Sequence, residues 1–301
     1  WAKIGGHLFP LSPIMLHLRL ARGRLLVYQS LDPKELCSNQ LKTHPTAIIS
    51  EQARISPLAE VGPYSVITGE VAIGDHSIIE SHVRIGSRFG KVLIGEYNYI
   101  QSGATLGGPA QDRTYEETQT ALELGDHNRI GEGASLNLGS LKGGGVTRIG
   151  DNNLIMANAH VGHDCQIADD VVMTNLSQLS GHVEIERGAV LSGAVAVTQF
   201  VRLGEYSFIA CGAIVNKDIL PYTIAEGRWA KPKAINKVGL RRAGQKPEEI
   251  LEIGRAVRFM LRKNMTIDEA LNRIGTECAL NPRIEHLIEF VRASDRGVAR
   301  A

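Results

Sequence analysis

Aromatic residues are scarce in this chain of 301 residues, at 5%. Its core must therefore be aliphatic, and a hydrophobic content of 43% makes that core sizeable. Excess charge is missing too. The formal net charge is +1, which excludes the electrostatic footprint of a nucleic-acid or membrane-surface binder. No apolar run approaches the roughly 18 residues that a membrane span needs. The four cysteines, Cys37, Cys165, Cys211 and Cys278, lie far apart and form no CxxC. They read as reduced thiols in a reducing compartment, not as a disulfide framework. Acidic residues are absent from the first 31 positions, which carry Lys3, Arg19, Arg22 and Arg24. Apolar sequence with interspersed arginines and no acids has the character of an organellar transit segment. Residues 1–42 are thus expected to be an N-terminal extension and the protein mitochondrial, or cytoplasmic if the segment is an extension alone.

A period of six is what the chain has in abundance. Ile49, Ile55, Val61, Ile67, Ile73, Ile79 and Ile85 fall on it, then Ile94, Ile100 and Leu106, then Leu124, Ile130 and Leu136. After a Gly-rich insertion, "GSLKGGGVTR", it runs unbroken from Ile149 through Val161, Met173 and Leu191 to Val215. A helical period of 3.6 is absent there. Hexapeptide repetition is the signature of a parallel β-helix, in which each repeat is a short strand and a turn. Each aliphatic residue points into a narrow interior, and the glycines that often follow it are expected to ease tight corners. One hexad cannot bury its own apolar face, so stability comes from stacked coils. The solenoid is expected over residues 43–218. Beyond it, helical spacing returns. Pro247 before Glu248 and Glu249, and Thr266 before Asp268 and Glu269, are helix starts. Ile250, Ile253, Val257 and Leu261 share one face. Residues 219–301 are expected to form a helical domain covering the open end of the solenoid.

Chemistry concentrates in "NAHVGHDC", residues 158–165. An imidazole titrates near working pH and suits proton transfer. His160, His163 and His182 also offer three nitrogens to a metal, as zinc sites do. Hexapeptide-repeat carbonic anhydrases hold metal this way, but their His-x4-His pair is absent. No GxSxG marks a serine nucleophile, and Cys165 has no evident base beside it. Surface imidazoles without function are a third reading. The polar loop at residues 107–123 interrupts the repeat and is a candidate binding loop. Arg241 and Arg242 suit phosphate recognition or simple solvation.

Six stretches in order, "HPTAIISEQARISPLAEVGPYSVI", "AQDRTY", "NAHVGHDC", "LSGHV", "LPYTIAEGRWAKP" and "GLRRAG", carry a resemblance. The chain resembles the UDP-N-acetylglucosamine O-acyltransferases, the first enzymes of the lipid A pathway, over about residues 43–296. The resemblance implies a mainly β, left-handed parallel β-helix with three hexads per coil and a C-terminal α-helical domain. Residues 18 apart then stack, so His163, Gly181 and Gln199 form one column at steps of about 5 Å. It implies a homotrimer with active sites between subunits. It implies transfer of a (R)-3-hydroxyacyl group from acyl carrier protein to the 3-hydroxyl of UDP-N-acetylglucosamine, without metal or cofactor. His163 matches the general base and Gly181 the oxyanion donor. Gln111, Asp112, His160, His182 and Gln199 match substrate contacts, and Asn236 and Arg242 match positions that hold the uridine nucleotide. Asp164 is placed to orient His163, although neighbours on a strand point to opposite faces. The chain departs from the pattern at Thr114 (usually lysine), Thr198 (usually histidine), Val238 (usually acidic) and Ala243 (usually arginine). Cys211 replaces a glycine that in some members sets acyl-chain length. Two rival readings remain: a UDP-sugar N-acyltransferase, which normally carries a further N-terminal uridine-binding domain, and a non-catalytic hexapeptide scaffold.

Overall fold

The computed structural model describes residues 42–114 and 116–300, and upstream only the backbone of two antiparallel strand pairs, Ala2–Ile4 with His7–Phe9 and His17–Ala21 with Arg24–Tyr28. The transit segment expected over residues 1–42, and the mitochondrial placement drawn from it, otherwise fall outside the described residues.

From Lys42 to Ala301 the chain forms one compact unit. Its body is a parallel β-helix with three sheets of 10, 9 and 8 strands. Most strands are two residues long. One residue of each pair, the period-of-six aliphatic, is buried; every such position from Val61 to Val215 has its side chain in the interior. Register runs in steps of one coil: Val161 pairs with Leu179, Leu179 with Val197, and Val197 with Val215. The interruptions do not break the coil. Ile85 pairs with Leu106, Leu106 with Leu136, and Leu136 with Val161. Each extra segment is a loop at a corner. Inside, Asn98, Asn128 and Asn153 form a buried ladder: the Asn153 N–H donates to Asn128 Oδ1 at 2.9 Å, and the Asn128 N–H to Asn98 Oδ1 at 2.9 Å. The ladder satisfies backbone donors that the corner leaves without strand partners.

Most glycines that follow the aliphatic residue have a different reason from the expected one; Gly86 (φ 86°), by contrast, takes a left-handed turn as expected. Gly62, Gly74 and Gly162 sit where a Cβ would meet backbone of the next coil; at Gly162 it would lie 2.8 Å from Leu179 O. They allow coils to approach. The left-handed corners fall further along the turn, at residues such as His82 (φ 58°), Asp164 (φ 61°) and His182 (φ 60°) and at Gly103, Gly133, Gly188 and Gly212. Asp, Asn and His tolerate that region better than most residues.

The period ends near Asn216, but parallel pairing does not. Thr223–Glu226 pairs in parallel with Phe208–Ile209, and Lys231–Ile235 returns antiparallel to close that sheet edge. Helices follow: α1 (Lys237–Arg242), α2 (Pro247–Leu261), α3 (Ile267–Glu277) and α4 (Pro282–Arg292). Thr266 caps α3 reciprocally with Glu269, as the sequence pattern indicates. Ile250, Ile253 and Val257 are buried in a second cluster with Tyr222, Leu287 and Phe290.

Ionic contacts join helices to coils. Arg283 pairs with Glu205, and His286 Nε2 lies 2.8 Å from Glu186 Oε2. The hydrogen bond that His286 donates to Glu186 raises the His286 pKa above its ordinary 6.5, against a smaller effect of burial. A raised histidine stabilises fully below its unfolded pKa, and the contribution is lost as pH climbs through the folded one. Stability from this contact is therefore expected to fall as pH rises from the ordinary imidazole range through the raised folded pKa. Thermal melts of wild type and His286→Gln should converge across that window. A gap independent of pH would show that the contact does not titrate.

Candidate active site

The site is built at the corner that follows the strand His160–Val161. Val161 and Cys165 point inward and are fully buried. Between them Gly162, His163 and Asp164 turn the chain. The Val161–Leu179–Val197 register brings His163, Gly181 and Gln199 into one column, with the His182 N–H donating to His163 O at 2.9 Å. A Cβ on Gly181 would stand 2.6 Å from His163 Nε2 and 2.5 Å from its Cε1. The imidazole thus lies in the space that the missing side chain leaves. Among the described residues, no acceptor is recorded for the Gly181 N–H. Gln199, one coil further, is exposed.

Asp164 faces the histidine, against the alternation expected of strand neighbours. Its left-handed φ takes it out of the strand and swings the carboxylate back over the corner. His163 Nδ1 lies 2.7 Å from Asp164 Oδ2. A carboxylate only accepts, so Nδ1 carries the proton and Nε2 keeps its lone pair, on the Gly181 side. The carboxylate is itself fixed. The Ser140 N–H donates to Oδ1 at 2.7 Å, and the Ser140 hydroxyl to Oδ2 at 2.6 Å. The Asp164 N–H donates to Thr147 Oγ1 at 2.7 Å. The Asp164 side chain is 0% exposed and that of His163 is 12% exposed. Ser140, Gly143 and Thr147 belong to the Gly-rich insertion, which sequence reading took as a mere interruption. A Cβ on Gly143 would strike the Asp164 carboxylate at 2.1 Å. The signal for it was position: the insertion falls in the coil directly beneath the histidine corner.

His182 follows Asp164 by one coil. Its ring lies edge-on to His163 at 5.1 Å and stacks on Phe200 at 4.5 Å. Burial lowers its pKa, opposed by the Asp164 charge. His160 shares a hydrogen bond with Ser135 Oγ at 2.8 Å, and burial lowers its pKa as well. Both rings are therefore favoured in their neutral form, able to accept or donate to substrate hydroxyls. The polar loop reaches the same place. Asp112 accepts from the Thr114 N–H at 2.9 Å, and that bond holds its carboxyl below the usual range, with smaller effects from the charges of Lys142 and His163. Gln111 is exposed beside it.

Other candidates lie apart. The Cys165 thiol is buried and pushed up to about 12, which removes it as a nucleophile. Asn236 and Arg242 have no recorded contact with the His163 set. Asn236 is 6% exposed and caps α1, accepting from the Gly239 N–H at 2.9 Å and donating to Tyr206 O at 2.9 Å. Arg242 is exposed at the end of α1. Cys211 is exposed at another corner, and a Cβ on Gly193 would be 3.7 Å from its sulfur. His163, Asp164 and His182 place potential metal-ligand atoms within 4.8 Å of one another. Asp164 Oδ2 already accepts from the Ser140 hydroxyl and lies 2.7 Å from His163 Nδ1, so an ion bound by that oxygen or by Nδ1 would displace the bond that orients the histidine.

Comparison places this geometry in a class. Residues 147–181 match the bacterial transferase hexapeptide family (six repeats), and residues 218–299 match domain 2 of UDP-N-acetylglucosamine O-acyltransferase. The acyl-[acyl-carrier-protein]–UDP-N-acetylglucosamine O-acyltransferase of Alkalilimnicola ehrlichii is 44% identical over 197 residues, 65% of this chain and 76% of that protein. The structure of the Moraxella catarrhalis UDP-N-acetylglucosamine O-acyltransferase superposes with a TM-score of 0.82 at 37% identity, covering 86% of this chain and all of that one. An Arabidopsis UDP-N-acetylglucosamine acyltransferase superposes with a TM-score of 0.73 at 27% identity, covering 85% and 97%. The chain is a hexapeptide-repeat acyltransferase with a left-handed β-helix. It belongs to the UDP-N-acetylglucosamine O-acyltransferase family.

Proposed function

We propose that the protein transfers a (R)-3-hydroxyacyl group from acyl carrier protein to the 3-hydroxyl of UDP-N-acetylglucosamine, the first step of a lipid A-type pathway. The observation that carries the reading is the His163–Asp164 pair with its free Nε2 beside the bare Gly181 corner. His163 Nε2 removes the proton from the sugar hydroxyl as its oxygen attacks the thioester carbonyl. The oxyanion of the tetrahedral intermediate is received by the Gly181 N–H. Collapse breaks the C–S bond, and the proton on His163 passes to the departing thiolate. Asp164 fixes the tautomer and supports the imidazolium formed midway. Asp112, Gln111, His160, His182 and Gln199 surround the acceptor sugar.

Asn236 and Arg242 fit the reading only if a second copy supplies them. Their separation from His163 within one chain supports a homotrimer with sites between subunits. The fold contains no helix long and apolar enough to cross a membrane among the described residues. The acid-free stretch of the first 31 residues supports a mitochondrial placement; a fusion of residues 1–42 that stayed in the cytosol would refute it.

Incubation with UDP-N-acetylglucosamine and a panel of hydroxyacyl carrier proteins, read by mass spectrometry, tests the activity. An O-acylated nucleotide sugar is expected. Acylation of amino-sugar nucleotides alone would identify the N-acyltransferase, and no product with any donor would favour a scaffold.

Acyl length is governed across the sheet face that begins at the histidine corner. Its strands Gln178–Leu179, Ala196–Val197 and Ile214–Val215 are two residues wide, and Gly193 and Cys211 stand at the opposite corner. The Cys211 side chain shortens the room left there. Cys211→Gly is expected to move the optimum of kcat/KM toward longer acyl chains. An unchanged profile across a chain-length series would remove Cys211 from that role.

A further inference from the structure

Lys142 sits at the tip of the Gly-rich insertion, two residues from the serine that grips Asp164. Its Nζ donates to Thr114 Oγ1 at 2.7 Å, and Thr114 in turn donates to Asp112 through its N–H and its hydroxyl, at 2.9 and 3.1 Å. This bridge joins the two loops that flank the base. It also places a full positive charge over the acceptor side of the site. Among the described residues no carboxylate lies within ion-pairing distance of that ammonium. The bond to a neutral hydroxyl uses one of its three donors. Next to it, Gly144 and Gly145 have left-handed φ values of 90° and 82°, and a Cβ on either would meet nothing within 4 Å. The loop tip thus offers an exposed ammonium with open space beside it.

We infer that Lys142 binds the diphosphate of the acceptor nucleotide sugar and so selects acceptors that carry a phosphate at C1. The inference rests on the acyltransfer reading above. If the sugar 3-hydroxyl lies at His163, the diphosphate is only a few bonds away across the ring. The phosphate of the donor is at the far end of the pantetheine arm, well removed from the thioester. A lysine ammonium recognises phosphate as a point charge and needs no further partner geometry. Thr114, held by the Asp112 carboxylate, keeps the ammonium in place, and the carboxylate acts on it at a distance without a direct ion pair.

Lys142→Gln tests this, with steady-state kinetics varied separately in each substrate. The KM for UDP-N-acetylglucosamine is expected to rise about tenfold, the size of one lost charge-assisted bond at a partly exposed site, with kcat little changed. The KM for the acyl carrier protein should stay as in wild type, and Lys142→Arg should recover part of the loss. Thr114→Val separates binding from loop ordering, because it removes the bridge and keeps the charge. A Thr114→Val effect as large as that of Lys142→Gln would overturn the inference, and so would a Lys142→Gln loss confined to the carrier protein or to kcat. A wild type that makes product beside an indifferent Lys142→Gln sinks only this inference. A wild type that makes none removes the function it rests on.

Discussion

Replacing His163 with alanine is expected to lower kcat/KM about a thousandfold or more while the β-helix stays intact. The size follows from what the imidazole does. A sugar hydroxyl at neutral pH holds its proton tightly, and among these imidazoles His163 is the one whose Nδ1 lies 2.7 Å from a buried carboxylate that supports the charge gained on taking that proton. The fold should not suffer. His163 lies at a corner, outside the aliphatic interior, and its backbone bond to His182 does not need the side chain. Asp164→Asn should act through the histidine. A carboxamide can present its N–H₂ to Nδ1, which would move the proton to Nε2 and block the base. A large loss of kcat with KM near wild type is expected, together with some loss of stability, since Ser140 would lose a charged acceptor. Circular dichroism and melting of both variants, read beside the kinetics, separate chemistry from folding. A His163→Ala enzyme with a tenth or more of wild-type kcat/KM would remove the histidine from the role of base.

How far the molecule could be read in advance depended on which interactions are periodic. Burial of an aliphatic side chain in a solenoid recurs at every hexad, so Val61 through Val215 were all placed by counting. The same counting, with three hexads per coil, put His163 against Gly181. It failed where the backbone leaves the strand. Asp164 lies in a left-handed corner, and there the two-residue alternation of strands does not hold. The Gly-rich insertion was opaque for another reason. Its length is unrelated to the repeat, so no column arithmetic connects Ser140 or Lys142 to the residues they meet. Gly62, Gly74 and Gly162 were misjudged because close approach of a neighbouring coil is a three-dimensional fact with no local trace. Asn236 was assigned to a nucleotide by resemblance, whereas within one chain its amide caps α1. Thr114, a departure from the family pattern, gains meaning only once Lys142 is seen to reach it.

Gly181→Ala should have the second large effect, and its contrast with Gly162→Ala distinguishes site from scaffold. Both glycines are in the same turn series, and neither has a left-handed φ, so an alanine meets no backbone strain of its own. What differs is the neighbour. At Gly181 all three nearest atoms belong to the His163 ring, at 2.5 to 3.0 Å. A flexible side chain can yield, so the imidazole swings away, the bond to Asp164 lengthens, and the methyl group takes the place of the reacting carbonyl. At Gly162 the nearest atoms are backbone, Leu179 O at 2.8 Å and Ser180 C at 2.8 Å, which can move only if adjacent coils separate. Gly181→Ala is therefore expected to lose kcat/KM by about a hundredfold or more at nearly unchanged melting temperature. Gly162→Ala is expected to cost about 1–3 kcal/mol of stability through overpacking; its Cβ also stands 2.9 Å from the Gly181 N, so activity falls too and the melting temperature is what separates the two variants. Equal melting temperatures for the two variants, or a Gly181→Ala enzyme at wild-type turnover, would mean that the imidazole does not occupy the space left by the missing side chain.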